Sequence, residues 1–254
     1  MEIITVINQK GGVGKTTTAH SLATGLKKRD KKVLLIDLDP QANLTFTALR
    51  TTPEHSIFDV LINGKNIKEC IYHNSDMAFI PASSNLAIMD NLLNDTGKEY
   101  RLKEALKILE NEYDYIIIDT PPALGILTIN SLTASHKAII TAQADIYSLQ
   151  GIKQLSQSIE AVKKYCNKNL LIDGVLLTRY NSRSILTKDM TENMKRMAES
   201  IGTKLYKSKI RECTAIKEAQ AIGQNIFDYA KKSNATKDYE EFINEILEGA
   251  SNEQ

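Results

Sequence analysis

Lys10-Gly11-Gly12-Val13-Gly14-Lys15-Thr16-Thr17 is a stretch built to hold a polyphosphate. Glycines let the backbone curl so that its N–H groups point inward at anionic oxygens. A helix starting directly after the curl adds its positive end to the same anion. Lys15 is then placed to reach β- and γ-phosphates, and the Thr16 hydroxyl to ligate Mg²⁺. The usual pattern, G-x-x-x-x-G-K-[ST], has a glycine where this chain has Gln9, and an additional lysine, Lys10, precedes the glycine pair. Two carboxylate motifs complete the chemistry, Asp37-Leu38-Asp39-Pro40-Gln41 and Asp119-Thr120-Pro121-Pro122. Each follows a short apolar run. Phosphoanhydride hydrolysis needs a metal to neutralise phosphate charge and a group to orient the attacking water. Asp119 is placed to hold Mg²⁺ through water, with Asp37 near the metal shell. Either motif alone could be a strand-end turn or a helix cap. Their order and spacing after the phosphate loop favour the catalytic reading.

The elements that must position these residues are legible as alternating patterns. Residues 3–7, 33–36, 77–80, 115–118, 138–141 and 170–177 are rich in Ile, Val and Leu with little alternation, as in strands covered on both faces. Between them lie helical patterns. One covers 16–29, with Leu22 and Leu26 on one face, and Leu102, Leu106 and Leu109 mark another. Further helices are expected over 147–165, 186–201 and 235–247. The alternation predicts an α/β fold, a doubly wound, mainly parallel sheet with helices on both faces, and ligands at the carboxyl ends of its strands. No repeat or Gly/Pro-rich linker interrupts it, so residues 1–254 are expected to form a single domain. Strand one is expected to begin at residue 2, and no helix-turn-helix segment is expected ahead of the phosphate loop.

The loop resembles that of the deviant Walker A ATPases, the superfamily of ParA/Soj, MinD and the nitrogenase iron protein, whose motif reads K-G-G-x-G-K-[ST]-[ST]. The resemblance extends over nearly the whole chain: Pro81-Ala82-Ser83, the stretch from Asp119 to Gly125, the stretch from Gln143 to Gly151, and the stretch from Ile210 to Ala219 each resemble family segments. The last looks like the segment that lies against adenine. The likeness is to the short ParA/Soj type of plasmid or chromosome partitioning ATPase. It implies ATP and Mg²⁺ as cofactors, and nucleotide contacts from Lys10, Gly11, Gly12, Val13, Gly14, Lys15, Thr16 and Thr17. It implies metal contacts from Thr16, Asp119 and Asp37, and catalytic roles for Lys10, Lys15 and Asp39. In that family the first lysine, here Lys10, reaches the partner's ATP across a sandwich homodimer, and the aspartate at the Asp39 position orients the water. Lys10 as a solvated loop charge is the plainer alternative. A ParB-type centromere-binding protein is the partner implied. Two departures stand out. Asn181-Ser182-Arg183-Ser184-Ile185-Leu186-Thr187 replaces an Arg-Thr-Asn-Leu element, and Ile210-Arg211-Glu212 replaces Ile-Pro-Arg. Both lean towards a plasmid or mobile-element member.

The net charge of +1 conceals an uneven distribution. From Thr178 to Lys232 there are 12 basic and 6 acidic residues, and after Lys232 one lysine faces 6 acids. A basic stripe suits sequence-independent contact with the DNA backbone. In ParA relatives this region binds non-specific DNA in the ATP dimer, which makes Arg183, Lys188, Lys195 and Arg196 the candidates here. A merely solvated charged face remains the alternative.

Other classes fit less well. The final helix pairs an apolar stripe with an acidic face, which anionic lipid repels, so a MinD-type membrane cycle is disfavoured and no membrane partner is expected. Cys70, Cys166 and Cys213 lie far from the switch motifs and form no CxxC pair, against an iron–sulfur reductase and in keeping with a reducing cytoplasm. An ATP-gated dimer scaffold with negligible hydrolysis stays open. The first seven residues read as a strand, not a signal peptide, and no apolar run is long enough to span a bilayer. The sum is a weak, partner-stimulated ATPase, cytoplasmic and nucleoid-associated.

Overall fold

A computed structural model describes residues 1–49, 51–74 and 77–251; Glu253, one of the tail acids counted above, lies outside them. The strands are β1 (Glu2–Ile7), β2 (Val33–Asp37), β3 (Tyr72–His73), β4 (Ala78–Ile80), β5 (Tyr115–Asp119), β6 (Lys137–Ala142), β7 (Leu171–Tyr180) and β8 (Leu205–Arg211). They form one sheet in the order β3-β4-β2-β5-β1-β6-β7-β8, parallel except for the β3–β4 pair. The helices are α1 (Lys15–Lys27), α2 (Asn43–Leu49), α3 (Ile57–Asn63), α4 (Met89–Leu92), α5 (Arg101–Leu106), α6 (Ile126–Ala134), α7 (Ile146–Tyr165), α8 (Ile185–Ser200), α9 (Thr214–Ala221), α10 (Ile226–Tyr229) and α11 (Asn234–Ser251).

Successive side chains of a strand point to opposite faces, and β1 shows the consequence. Ile4 and Val6 pack with Leu22 and Leu26 of α1 and with Tyr239, Phe242 and Ile243 of α11. Ile3 joins the opposite core with Leu102 and Leu106 of α5 and Ile126 of α6, while Ile7 packs with Leu155 and Ile159 of α7. Burying both faces is why these strands read as continuous apolar runs. The connections leave β1 towards β2 on one side and return to β6 on the other, so the strand order reverses at β1. A crevice opens at such a point beyond the carboxyl ends of the strands.

The apolar runs locate the central strands to within a few residues, but the short β3 and the edge strand β8 carry no such run. β8 alternates: Tyr206, Ser208 and Ile210 are buried while the lysines between them are more exposed. The core under it is supplied by α11, whose carboxylates also serve the strand. Glu245 accepts from the N–H of Lys207 (2.9 Å) and of Ser208 (3.0 Å), and Asp238 accepts from the N–H of Arg211 (2.8 Å). Two acids of the predicted acidic face are therefore structural, one of them, Asp238, buried against the Arg211 guanidinium. The leucines expected to mark one helix do so only in part. Leu102 and Leu106 lie on α5, and Leu109 on a 3₁₀ turn that continues it; all three are buried.

Candidate active site

The loop between β1 and α1 is pinned from behind by two side chains. Asn8 donates to the Thr141 carbonyl (2.5 Å) and accepts from the Lys10 N–H (2.8 Å). The Thr178 hydroxyl donates to the Val13 carbonyl (2.8 Å). Gly12 and Gly14 take φ of 74° and 79°, the left-handed region that other residues enter only at a cost. Gln9 is absent from the positive-φ positions, so the missing first glycine is not needed for the turn. Gly14 caps α1 with no side chain of its own, which leaves the first helical N–H groups facing the crevice as anion donors.

Lys15 is buried, and its ammonium donates to the Lys10 carbonyl at 3.2 Å. Burial pulls its pKa down, with Asp119 and Asp39 opposing that shift through their charge. The register that pairs β2 with β5 sets Asp37 opposite Asp119. Asp37 accepts from the N–H of Asp39 (3.0 Å) through one oxygen, and from the N–H and hydroxyl of Thr45 (2.9 and 2.8 Å) through the other. Burial still raises its pKa to about 6. The Thr45 hydroxyl in turn accepts from the Ala82 N–H (2.9 Å). Asp37 thus ties the start of α2 to the end of β2, with both oxygens engaged. Asp39 is nearly buried and accepts from the Gln41 N–H at 3.0 Å, which holds its loop in a turn.

Asp119 differs from both. It is fully buried, and neither carboxylate oxygen has a hydrogen-bond partner. Burial and the nearby Asp37 charge push its pKa far up, with Thr16 and Lys15 opposing. A buried acceptor without a donor is costly, and a hydrated cation at this point would satisfy it. Among the described residues no group of three or more His, Cys, Asp or Glu could hold a metal unaided. The donor set that fits Mg²⁺ is therefore Asp119 and the Thr16 hydroxyl, completed by phosphate oxygens and water.

Lys10 lies at the rim. Its ammonium sits 2.9 Å from Asp145 Oδ2, while Asp145 Oδ1 caps α7 by accepting from the Ser148 N–H at 2.8 Å. Burial works against the Asp145 anion, but the Lys10 ammonium and the Ser148 N–H together hold its carboxyl below the usual range. Phe46, Leu124, Ile146 and Tyr147, large apolar side chains near these motifs in the sequence, are exposed.

A cleft of about 720 Å³ is lined at its phosphate end by Gly11, Gly12, Gly14, Lys15, Thr16, Thr17 and Asp39, while Lys10, Asp37, Asp119 and Asp145 lie outside its lining. Thr178, Arg179, the run from Ile210 to Cys213, Ile216, Lys217 and Gln220 also line it, and Gln220 donates to the Thr17 hydroxyl at 3.0 Å. The segment beginning at Ile210 therefore shares a cleft with the phosphate loop. Asn8, Thr178, Asp145 and Gln220 were missed as site residues. Of these only Asp145 carried a signal, as an Asp three residues ahead of a Ser at a helix start.

The four DNA candidates are all exposed, Arg183 on the loop before α8 and Lys188, Lys195 and Arg196 on α8 itself. Asp189, Glu192 and Glu199 share that helix, and Glu192 lies 3.7 Å from Arg196. The basic surplus of the segment does not gather on α8, whose three bases are matched by three acids. Elsewhere Arg179 is paired with Glu212 and Arg211 with Asp238.

Residues 1–172 match the AAA_31 family, described as an AAA domain. The chain is 37% identical over 250 residues to the sporulation initiation inhibitor protein Soj of Bacillus subtilis, covering 96% of this chain and 98% of that protein. It is 35% identical over 244 residues to the chromosome partitioning protein ParA of Myxococcus xanthus, covering 93% and 84%. Among solved structures, cobyrinic acid a,c-diamide synthase from Mycobacterium smegmatis with bound ADP and magnesium superimposes with a TM-score of 0.86 at 31% identity, over 100% of this chain and 97% of that one. A phosphate loop at the sheet's reversal point, an orphaned buried aspartate beside it and relatives matched over nearly their full length show that this chain belongs to the ParA/Soj-type family of P-loop ATPases.

Proposed function

We propose that the chain is a DNA-partitioning ATPase that uses Mg-ATP to switch between a monomer and a DNA-holding sandwich dimer. The observation that carries this reading is Lys10. Lys15, buried and bonded to the Lys10 carbonyl, is the lysine suited to serve the phosphates in cis, and a second lysine held at the rim by a surface carboxylate is free to exchange that partner for a phosphate on another subunit. Gly11 to Thr17 bind the phosphates and Lys15 offsets their charge. Thr16 and Asp119 hold Mg²⁺, which when bound neutralises charge on the phosphate oxygens. Asp39 orients the attacking water. Asp37 acts one step back, holding α2 and the Asp39 turn in place through Thr45. The exposed Phe46, Leu124, Ile146 and Tyr147 supply apolar surface for a second copy.

Closure depends on the triphosphate because only that ligand gives Lys10 a partner in trans, so nucleotide state becomes assembly state. A ParB-type protein would speed a slow hydrolysis by ordering Asp39 and the Pro121-Pro122 loop. Loss of the terminal phosphate reopens the dimer and releases DNA, to which Arg183, Lys188, Lys195 and Arg196 contribute. The chain would work in the cytoplasm on the nucleoid. A membrane cycle is not favoured: Tyr239, Phe242, Ile243 and Ile246 of α11 are buried against the domain, and no helix among the described residues is long and apolar enough to cross a membrane.

The test is retention of non-specific DNA with ATP, with an unhydrolysable analogue and with ADP, across a salt series. The proposal expects retention with the two triphosphates, loss with ADP and a steep decline with salt. Equal retention in all three nucleotide states contradicts it.

A further inference from the structure

The cleft contains an ion pair that the chemistry above does not use. Arg179, near the end of β7, has φ of 49°, a conformation non-glycine residues seldom adopt. Its neighbour Thr178 is bonded to the Val13 carbonyl, so the phosphate loop fixes the point from which the Arg179 side chain departs. Its Nε and Nη2 both donate to one oxygen of Glu212, Oε1, at 3.2 and 2.7 Å. The arginine holds the Glu212 carboxyl below its usual range. Glu212 is itself fixed in the chain between Arg211, clamped by Asp238, and Cys213, the N-cap of α9. Arg179 and Glu212 line the nucleotide cleft together with Ile210 and Ile216.

An ion pair this exposed contributes little to folding, and backbone strain of this kind tends to persist where it serves a site. Asp39, Lys15 and Thr16 mark the end of the cleft that takes the terminal phosphates. A base at the other end of the same ligand falls among Thr178, Arg179 and the Ile210 segment, where Ile210 and Ile216 offer apolar surface to a flat ring.

Resting on the ATP reading above, we propose that Arg179 sets the base preference of the cleft by withholding one oxygen of Glu212 from guanine. A free carboxylate accepts through two oxygens. Guanine presents two adjacent donors, N1–H and the N2 amino group, which match that pair. Adenine presents a single amino group at N6 beside an acceptor nitrogen. With Oε1 taken and the negative charge offset, Glu212 keeps one oxygen for one amino hydrogen. The pair suits adenine, and the two-donor edge of guanine loses the partner that would hold it. Sites that leave a polar group unmatched discriminate strongly against that ligand.

The experiment uses the full chain with Mg²⁺ and displacement of a fluorescent ATP analogue by ATP and by GTP. The variants are Arg179→Met, Arg179→Gly (which also relieves the positive φ) and the double variant Arg179→Met/Glu212→Gln. Wild type is expected to prefer ATP. Both single variants should bind GTP about tenfold or more tighter than wild type, and the double variant should lose that gain. GTP affinity unchanged in both single variants overturns the proposal, as does a GTP gain that survives Glu212→Gln. A wild type that binds neither triphosphate overturns the ATP reading itself, a result distinct from either of these.

Discussion

The Lys10 ammonium and the Asp145 carboxylate lie 2.9 Å apart, joining the phosphate loop to the cap of α7. The pair keeps Lys10 folded onto its own subunit. On the proposed mechanism it must break before Lys10 can cross to a partner, so it opposes dimer closure. The side chains are 41% and 31% exposed, which limits the strength of the contact. Asp145→Asn keeps a capping side chain for α7 and removes the charge. The dimer of this variant should form at about two- to fivefold lower ATP or protein concentration, read by light scattering across a titration. A higher requirement would show that Asp145 helps closure.

Asp119→Asn should separate stability from function. The wild-type carboxylate is fully buried with no donor on either oxygen, a cost that a bound cation relieves. Without nucleotide and metal, the amide should raise stability by about 1–3 kcal/mol, measured by thermal melting. With Mg-ATP the ranking should reverse and turnover should be lost. An Asn variant less stable than wild type without ligand contradicts the placement.

Thr178→Val removes the hydroxyl that holds the Val13 carbonyl while keeping the shape of the side chain. The loss of one hydrogen bond, about 1 kcal/mol, should weaken nucleotide binding roughly fivefold. The melting temperature without nucleotide should also fall, by about 2–4 °C, because the bond is already made in the unliganded chain. Calorimetric titration reads both Kd values; equal affinities would mean the pin does not shape the loop.

Gly25, in the middle of α1, has a packing reason to lack a side chain. A Cβ there would lie 2.1 Å from the Ile243 Cδ1 on α11 and 3.2 Å from Phe227. Helix propensity alone favours Ala over Gly by about 1 kcal/mol. The overlap should outweigh it, because Ile243 and Phe227 are themselves buried and have little room to shift. Gly25→Ala should therefore cost about 1–2 kcal/mol net, and trimming the neighbour with Ile243→Val should recover part of it. Denaturant unfolding decides; an Ala variant as stable as wild type contradicts the tight α1–α11 contact.

Much of this was legible because it is local chemistry. Glycine and lysine spacing declares the phosphate loop, and double-sided burial makes β1, β2, β5 and β6 continuous apolar runs. What was not legible depends on partners distant in sequence. β8 looks polar until α11 supplies its inner face and the Glu245 carboxylate meets its N–H groups. Asp37 and Asp119 are equivalent as strand-end aspartates. Only the fold shows that Thr45 occupies Asp37 while Asp119 has no donor. The charge count along the chain suggested a basic face. The matched bases and acids of α8, and the Arg179–Glu212 and Arg211–Asp238 pairs, are three-dimensional facts that a running sum cannot show.

Everything functional turns on whether Lys10 acts across two subunits. Sedimentation velocity with Mg-ATP decides it, comparing Asp39→Ala, chosen to trap the triphosphate state, with the same protein carrying Lys10→Ala as well. The account predicts a dimer for the first and a monomer with nearly unchanged ATP affinity for the second. An equally stable ATP dimer without Lys10 would contradict it.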